Sequence, residues 1–260
     1  MLPTPIGIRL DPSRPLREQI REAAKLGARG VVMDAVGELA PQRLSETGRR
    51  DIRHLLRSVE LYLIALSLPT RRPFDSIDGL DDRLGRAEAA FTMGYELGTT
   101  MVLARVGGIP PESSAGEKET FLGAVRELGR RADHRGVKLA IETGHDSGAN
   151  MRTLLDGFAT PGLAASIDPS ALLQNGHDPG ETAKALGHWV AHAYASEVTL
   201  SMIVSKQARA SGLPAGALDW EEYLGALEEV NYRGYLTIWP DPAREPGPQI
   251  TAIVDRLKRL

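Results

Sequence analysis

Two acids in this chain close short apolar runs, Glu142 at the end of Lys138-Leu-Ala-Ile-Glu142 and Asp168 at the end of Ala164-Ala-Ser-Ile-Asp168. A carboxylate so placed either caps the following loop or points into an open site. Pro169 biases Asp168 toward extended backbone at its strand end. If the two runs are neighbouring parallel strands, both acids come within reach of one divalent cation, although two oxygen ligands alone make a weak site. A further candidate lies in Val190-Ala-His-Ala-Tyr-Ala-Ser-Glu197. There a period of two sends His192, Tyr194 and Ser196 to one face and alanines to the other. His192 is then either a metal ligand or a hydrogen-bonded interior histidine. Arg105, ending another apolar run, is placed to meet a substrate anion or to pair with a strand-end acid. His145, three residues past Glu142, is a proton shuttle or a solvated loop histidine. Lys206 and Arg209, in the long loop after the seventh run, either reach a substrate phosphate or carboxylate or are solvated loop charges, the plainer reading. No G-x-S-x-G elbow is present, and neither Ser67 nor Ser196 has a base at a diagnostic spacing.

These groups need a scaffold, and the chain supplies one by alternation. Short β-branched or apolar runs are predicted as strands at Ile6–Leu10, Gly30–Asp34, Leu61–Leu68, Met101–Val106, Lys138–Glu142, Ala164–Asp168, Val190–Ala195 and Tyr235–Trp239. Amphipathic segments at Leu16–Leu26, Glu46–Ser58, Leu80–Leu97, Lys118–Arg135, Met151–Phe158, Pro179–Leu186, Trp220–Val230 and Gln249–Leu260 are predicted as helices. Asp178 before Pro179 and Asp219 before Trp220 have the form of N-caps, and Gly98 that of a C-terminal stop. Eight such units close a ring, and no G-x-G-x-x-G follows the first strand to favour a dinucleotide-binding sheet. The expectation is a single (β/α)8 TIM barrel over residues 1–260. In that fold, chemistry sits at the C-terminal strand ends, which gather Asp34, Ser67, Arg105, Glu142, His145, Asp168, His192, Tyr194, Glu197, Trp239 and Asp241.

Composition narrows the chemistry further. The 31 basic and 34 acidic residues leave a formal charge of -3, which gives no field for a polyanion, so nucleic acid is a poor partner. With no cysteine, thiolate metal sites and thiol nucleophiles are excluded, and any metal must be held by His, Asp or Glu. No signal-peptide pattern or membrane-length apolar stretch is read, so a cytoplasmic protein is expected.

At these residues the chain resembles the xylose-isomerase-like TIM-barrel family of sugar phosphate isomerases and epimerases. The resemblance is carried by Arg86-Ala-Glu-Ala-Ala-Phe-Thr-Met-Gly-Tyr-Glu-Leu-Gly98, Leu139-Ala-Ile-Glu142, Ile167-Asp-Pro-Ser-Ala-Leu-Leu-Gln-Asn-Gly-His-Asp-Pro179, His192-Ala-Tyr-Ala-Ser-Glu197, and Asp219-Trp220 through Gly234-Tyr-Leu-Thr-Ile-Trp239. It implies a divalent metal such as Mn²⁺, Mg²⁺ or Co²⁺ held by Glu, Asp, His and a second Glu, with the glutamates exchanging a proton with carbon. Glu142 and Asp168 fall on the first two ligand positions. The usual His-x-His strand has Tyr194 in its second place and His192 in its first, and Trp239 replaces the final glutamate. Ala171 stands where a further histidine is often found.

Two functions follow. One is a sugar, sugar phosphate or polyol isomerase or epimerase, with Glu142 as base, Glu142, Asp168 and His192 around a metal, and Arg105, His145, Tyr194, Glu197 and Trp239 at the substrate. The other is a metal-free, catalytically altered or inactive carbohydrate-binding or regulatory relative built around Tyr194 and Trp239. A nuclease of this barrel type would need a histidine-rich multimetal site that the sequence lacks. A small carbohydrate is the expected partner in both readings, with no membrane. Relatives often pair through barrel faces, which makes a homo-oligomer an open expectation.

Overall fold

The computed structural model describes residues 5–196 and 218–260. Eight parallel strands form a closed ring in chain order, with the last pairing the first through Ile6–Leu236, Gly7–Thr237 and Ile8–Ile238. The strands are β1 Ile6–Arg9, β2 Gly30–Asp34, β3 Tyr62–Leu68, β4 Met101–Ala104, β5 Lys138–Glu142, β6 Leu163–Ile167, β7 Val190–Ala195 and β8 Leu236–Ile238. Around them run the helices α1 Leu16–Lys25, α2 Glu46–Ser58, α3 Leu80–Leu97, α4 Ala115–His134, α5 Gly148–Phe158, α6 Pro169–Gln174, α7 Pro179–Leu186, α8 Trp220–Glu229 and α9 Pro246–Leu257. The expected (β/α)8 barrel is what the chain forms. Among the described residues no helix is long and apolar enough to cross a membrane.

The local signals act as their chemistry dictates. Asp178 accepts from the Glu181 amide at 2.7 Å with Pro179 in the first turn of α7, and Asp219 accepts from the Glu222 amide at 3.0 Å at the head of α8. Gly98 ends α3 in the left-handed region at φ 92°. The unexpected element is α6. Its six residues are too few to show a helical period, and its start is set by Asp168, whose side chain accepts from the Ala171 amide at 3.2 Å. Asp168 therefore stands one residue past β6, both as an N-cap and on the barrel rim.

Two cores hold the ring. The larger lies between sheet and helices, and the smaller fills the barrel with Val32, Ala65, Leu103, Ala140, Ala164 and Tyr194. Lower in the barrel Ile64 fills the axis so closely that a Cβ on Gly7 would lie 2.4 Å from its Cδ1, which leaves glycine as the residue that fits. The upper layer is polar, with Arg9, Ser67, Ser166, His192 and Thr237 all buried.

The loops after β1 and β8, neighbours in the ring, are built alike. Asp11-Pro12-Ser13-Arg14 and Asp241-Pro242-Ala243-Arg244 each turn back on a glutamine of the next helix. Gln19 bonds the Asp11 amide at 2.9 Å and its carbonyl at 2.8 Å; Gln249 bonds the Asp241 amide at 2.9 Å and its carbonyl at 3.1 Å. Together they wall a cavity of about 330 Å³ beside the rim.

Candidate active site

The rim is organised around a residue that the sequence reading passes over, Arg9. Closing β1, it sends Nε to Asp34 Oδ1 at 3.1 Å, Nη1 to the Tyr194 hydroxyl at 2.7 Å and Glu142 Oε1 at 3.2 Å, and Nη2 to Ser67 Oγ at 2.7 Å. Its guanidinium carbon lies 3.7 Å from the centroid of the Trp239 ring, within cation–π range. Burial works against the charge, but Tyr194, Glu142 and Asp34 more than offset it, and the pKa stands above the ordinary arginine value. For Asp34, burial raises the pKa and Arg9 opposes the rise.

Glu142 is held unequally. Oε1 accepts from both Arg9 and the Tyr194 hydroxyl, the latter at 2.9 Å, whereas Oε2 has, among the described residues, one longer polar contact, 3.5 Å to Arg105 Nε. Arg105 bridges outward from there, with Nη2 donating to Asp168 Oδ2 at 3.0 Å. Asp168 is buried, and burial, then Glu142, push its carboxyl above the usual range against the pull of Arg105. Its amide donates to Thr143 Oγ1 at 3.0 Å. The two acids thus share one guanidinium and one cavity of about 430 Å³, walled by Arg105, Glu142, His145, Asp168, Trp239 and Asp241 among others.

The other expected site residues separate. His145 is exposed on the cavity wall, and its backbone carbonyl meets His177 Nε2 at 3.3 Å. Trp239 borders both rim cavities. Tyr194, expected at the substrate, is wholly buried: its hydroxyl is spent on Arg9 and Glu142, and burial, then Glu142, keep its pKa well above the usual phenol value. It does not line the cavity. His192, expected at a metal, is sealed inside the barrel, with Nδ1 2.8 Å from Ser166 Oγ and Nε2 2.9 Å from Thr237 Oγ1. Burial and the nearby Arg9 lower its pKa to about 3, so it is neutral with both nitrogens occupied. Glu197, Lys206 and Arg209 lie outside the described residues.

A divalent ion fits this donor set poorly. Both oxygens of Asp168 and Oε1 of Glu142 already accept hydrogen bonds, Arg105 spans the gap between the two acids, His192 offers no free lone pair, and Trp239 offers none at all. No group of three or more potential ligands stands together among the described residues. Arg9 carries a readable signal, since it is a charged residue ending an apolar strand, the same criterion that picks out Glu142.

A closed eight-stranded parallel barrel with ionisable groups at the C-terminal strand ends defines the TIM-barrel class. The model of the xylose isomerase-like TIM barrel matches residues 20–260, and the chain belongs to that family. No curated protein matches it. Among solved structures it is similar to a xylose isomerase domain protein from Planctomyces limnophilus, at 16% identity and TM-score 0.81, covering 98% of this chain and 95% of that one. A D-psicose 3-epimerase from Clostridium cellulolyticum H10 is similar at 14% identity and TM-score 0.77, covering 98% of each chain. The 3-keto-D-glucoside 4-epimerase of E. coli is similar at 13% identity and TM-score 0.75, covering 99% of this chain and 100% of that one.

Proposed function

We propose that this chain is a sugar isomerase or epimerase that takes a small polyhydroxylated carbonyl compound into the cavity of about 430 Å³ and moves a proton on carbon with Glu142, without a divalent metal. The observation that carries this reading is the asymmetry of Glu142. Arg9 and Tyr194 hold Oε1 and restrain rotation of the carboxylate, while Oε2 has, among the described residues, a 3.5 Å contact at the cavity. An oriented carboxylate with one uncommitted oxygen is the form a general base takes. In this reading Trp239 offers apolar surface to a sugar's C–H groups, His145 meets hydroxyl oxygens at the entrance, and Arg105 and Glu197 contribute polar contacts. The names of the solved epimerases support a sugar carbonyl as the substrate class.

The test is solvent exchange. A panel of ketoses and aldoses is incubated with the protein in D₂O, and loss of a C–H signal is followed by NMR. At least one member should exchange, and Glu142→Gln should abolish it. A ligand that raises the melting temperature yet shows no exchange would overturn the enzymatic reading. That result would support the binding or regulatory alternative, favoured by one observation, the engagement of both rim acids by arginines.

A further inference from the structure

We propose that Arg105 takes the place of the divalent ion, as a cation built into the chain that meets the substrate oxygen on which negative charge collects. The inference deepens the reading above and rests on it for the identity of that oxygen, but replacement of an ion by a guanidinium can be tested without turnover.

Position carries the argument. The two acids that the family resemblance assigns to a metal are joined by one side chain, with Arg105 Nη2 3.0 Å from Asp168 Oδ2 and Nε 3.5 Å from Glu142 Oε2. A positive charge is therefore already held where the two carboxylates converge. Its Nη1 makes no hydrogen bond among the described residues, and the side chain is 48% exposed on the cavity wall. Arg9 is the competing candidate, but its side chain is 6% exposed and all three of its nitrogens donate. Of these two arginines, Arg105 is the one that combines a clamped orientation with N–H groups left for a ligand.

The step balances without a co-reactant. Glu142 Oε2 takes the proton from the carbon beside the carbonyl, the C–H electron pair becomes a C=C bond, and the carbonyl π pair moves onto oxygen. That oxyanion is stabilised by the Nη1 donor of Arg105. Glu142 then returns a proton to carbon and restores the carbonyl, and where its carboxyl has first exchanged with D₂O it is a deuteron that the carbon acquires.

Mn²⁺ binding, followed by the EPR signal of the free ion, is the direct test. The unaltered protein should bind Mn²⁺ weakly, and Arg105→Gln, which vacates the space between the carboxylates, should bind it at least tenfold more tightly. Arg105→Lys, which keeps a cation there, should gain less. Equal binding by all three forms, or tight binding by the unaltered protein, overturns the proposal. Where the panel contains an exchanging sugar, Arg105→Ala should lower exchange by 100-fold or more, with partial recovery on adding guanidinium ion; undiminished exchange also overturns it. Absence of exchange throughout refutes the enzymatic function alone, since the Mn²⁺ comparison still decides the role of Arg105.

Discussion

Arg9 and Arg105 sit on one barrel rim and both contact Glu142, yet they are different devices. Arg9 closes a strand inside the ring, with 6% of its side chain exposed and hydrogen bonds to Asp34, Ser67, Glu142 and Tyr194. Arg105 follows β4 at the rim, with 48% exposed and Asp168 as its only side-chain hydrogen-bond partner among the described residues. A charge fully out of water persists only when it is fully paired, and pairing consumes the donors a ligand would need. The inner cation is thus paired throughout, with Glu142 among its partners, and the outer one keeps the Nη1 donor that the proposal above assigns to a substrate oxygen.

The sharpest way to break this contrast is to remove the inner cation. Arg9→Met leaves the Asp34 and Glu142 carboxylates buried without their shared cation and should cost about 3–5 kcal/mol. Urea denaturation checks this, and a loss below about 1 kcal/mol, the ordinary scale of a surface ion pair, would place Arg9 in the same class as Arg105. Tyr194→Phe is milder, removing one hydroxyl that donates to Glu142 at 2.9 Å and accepts from Arg9 at 2.7 Å. The expected loss is about 1.5–3 kcal/mol, the range for hydrogen bonds to charged groups. Because Glu142 would then be free to turn, exchange should fall with it.

The ring itself was legible because periodicity, caps and strand-end acids repeat along the chain and each repeat supports the others. Glu142 and Asp168 were readable for the same reason, as the ends of apolar runs. The partners of Arg9 were not, because they come from β2, β3, β5 and β7, and nothing in local sequence says which strand ends converge on one point. His192 shows a second limit. Period two sends it inward, but its depth decides its chemistry, and depth depends on register, which shifts between Ala165 and Ser166 where β6 meets β7. The short α6 escaped because one turn and a half has no period to read.

Depth also makes His192 a pH probe of the inner region. Its native pKa of about 3 lies below the ordinary 6.5, so the unfolded chain takes up a proton that the folded one refuses. The stability it contributes is complete above pH 6.5 and is lost as pH falls from there toward about 3. By pH 5.5 the loss should be about 1.4 kcal/mol. His192→Gln should flatten that part of the acid limb, as measured by denaturation at pH 7 and pH 5.5; parallel limbs in the two proteins would mean that His192 is protonated in the native state.

The smallest effect on stability is expected at the outer cation. Arg105→Ala removes an ion pair whose guanidinium is half exposed and whose Asp168 carboxylate is buried, and screening and side-chain entropy on the arginine side hold the contribution to about 1 kcal/mol or less. Asp168 keeps the Ala171 amide on Oδ1 when Arg105 is removed, so its carboxylate is not left without a partner. The two arginines should therefore separate in opposite directions, with Arg9→Met lowering the denaturation midpoint far more and Arg105→Ala leaving a well-folded protein that no longer supports exchange. A loss of 3 kcal/mol or more in Arg105→Ala would erase the distinction between inner and outer cation, since both would then be holding the barrel mouth together.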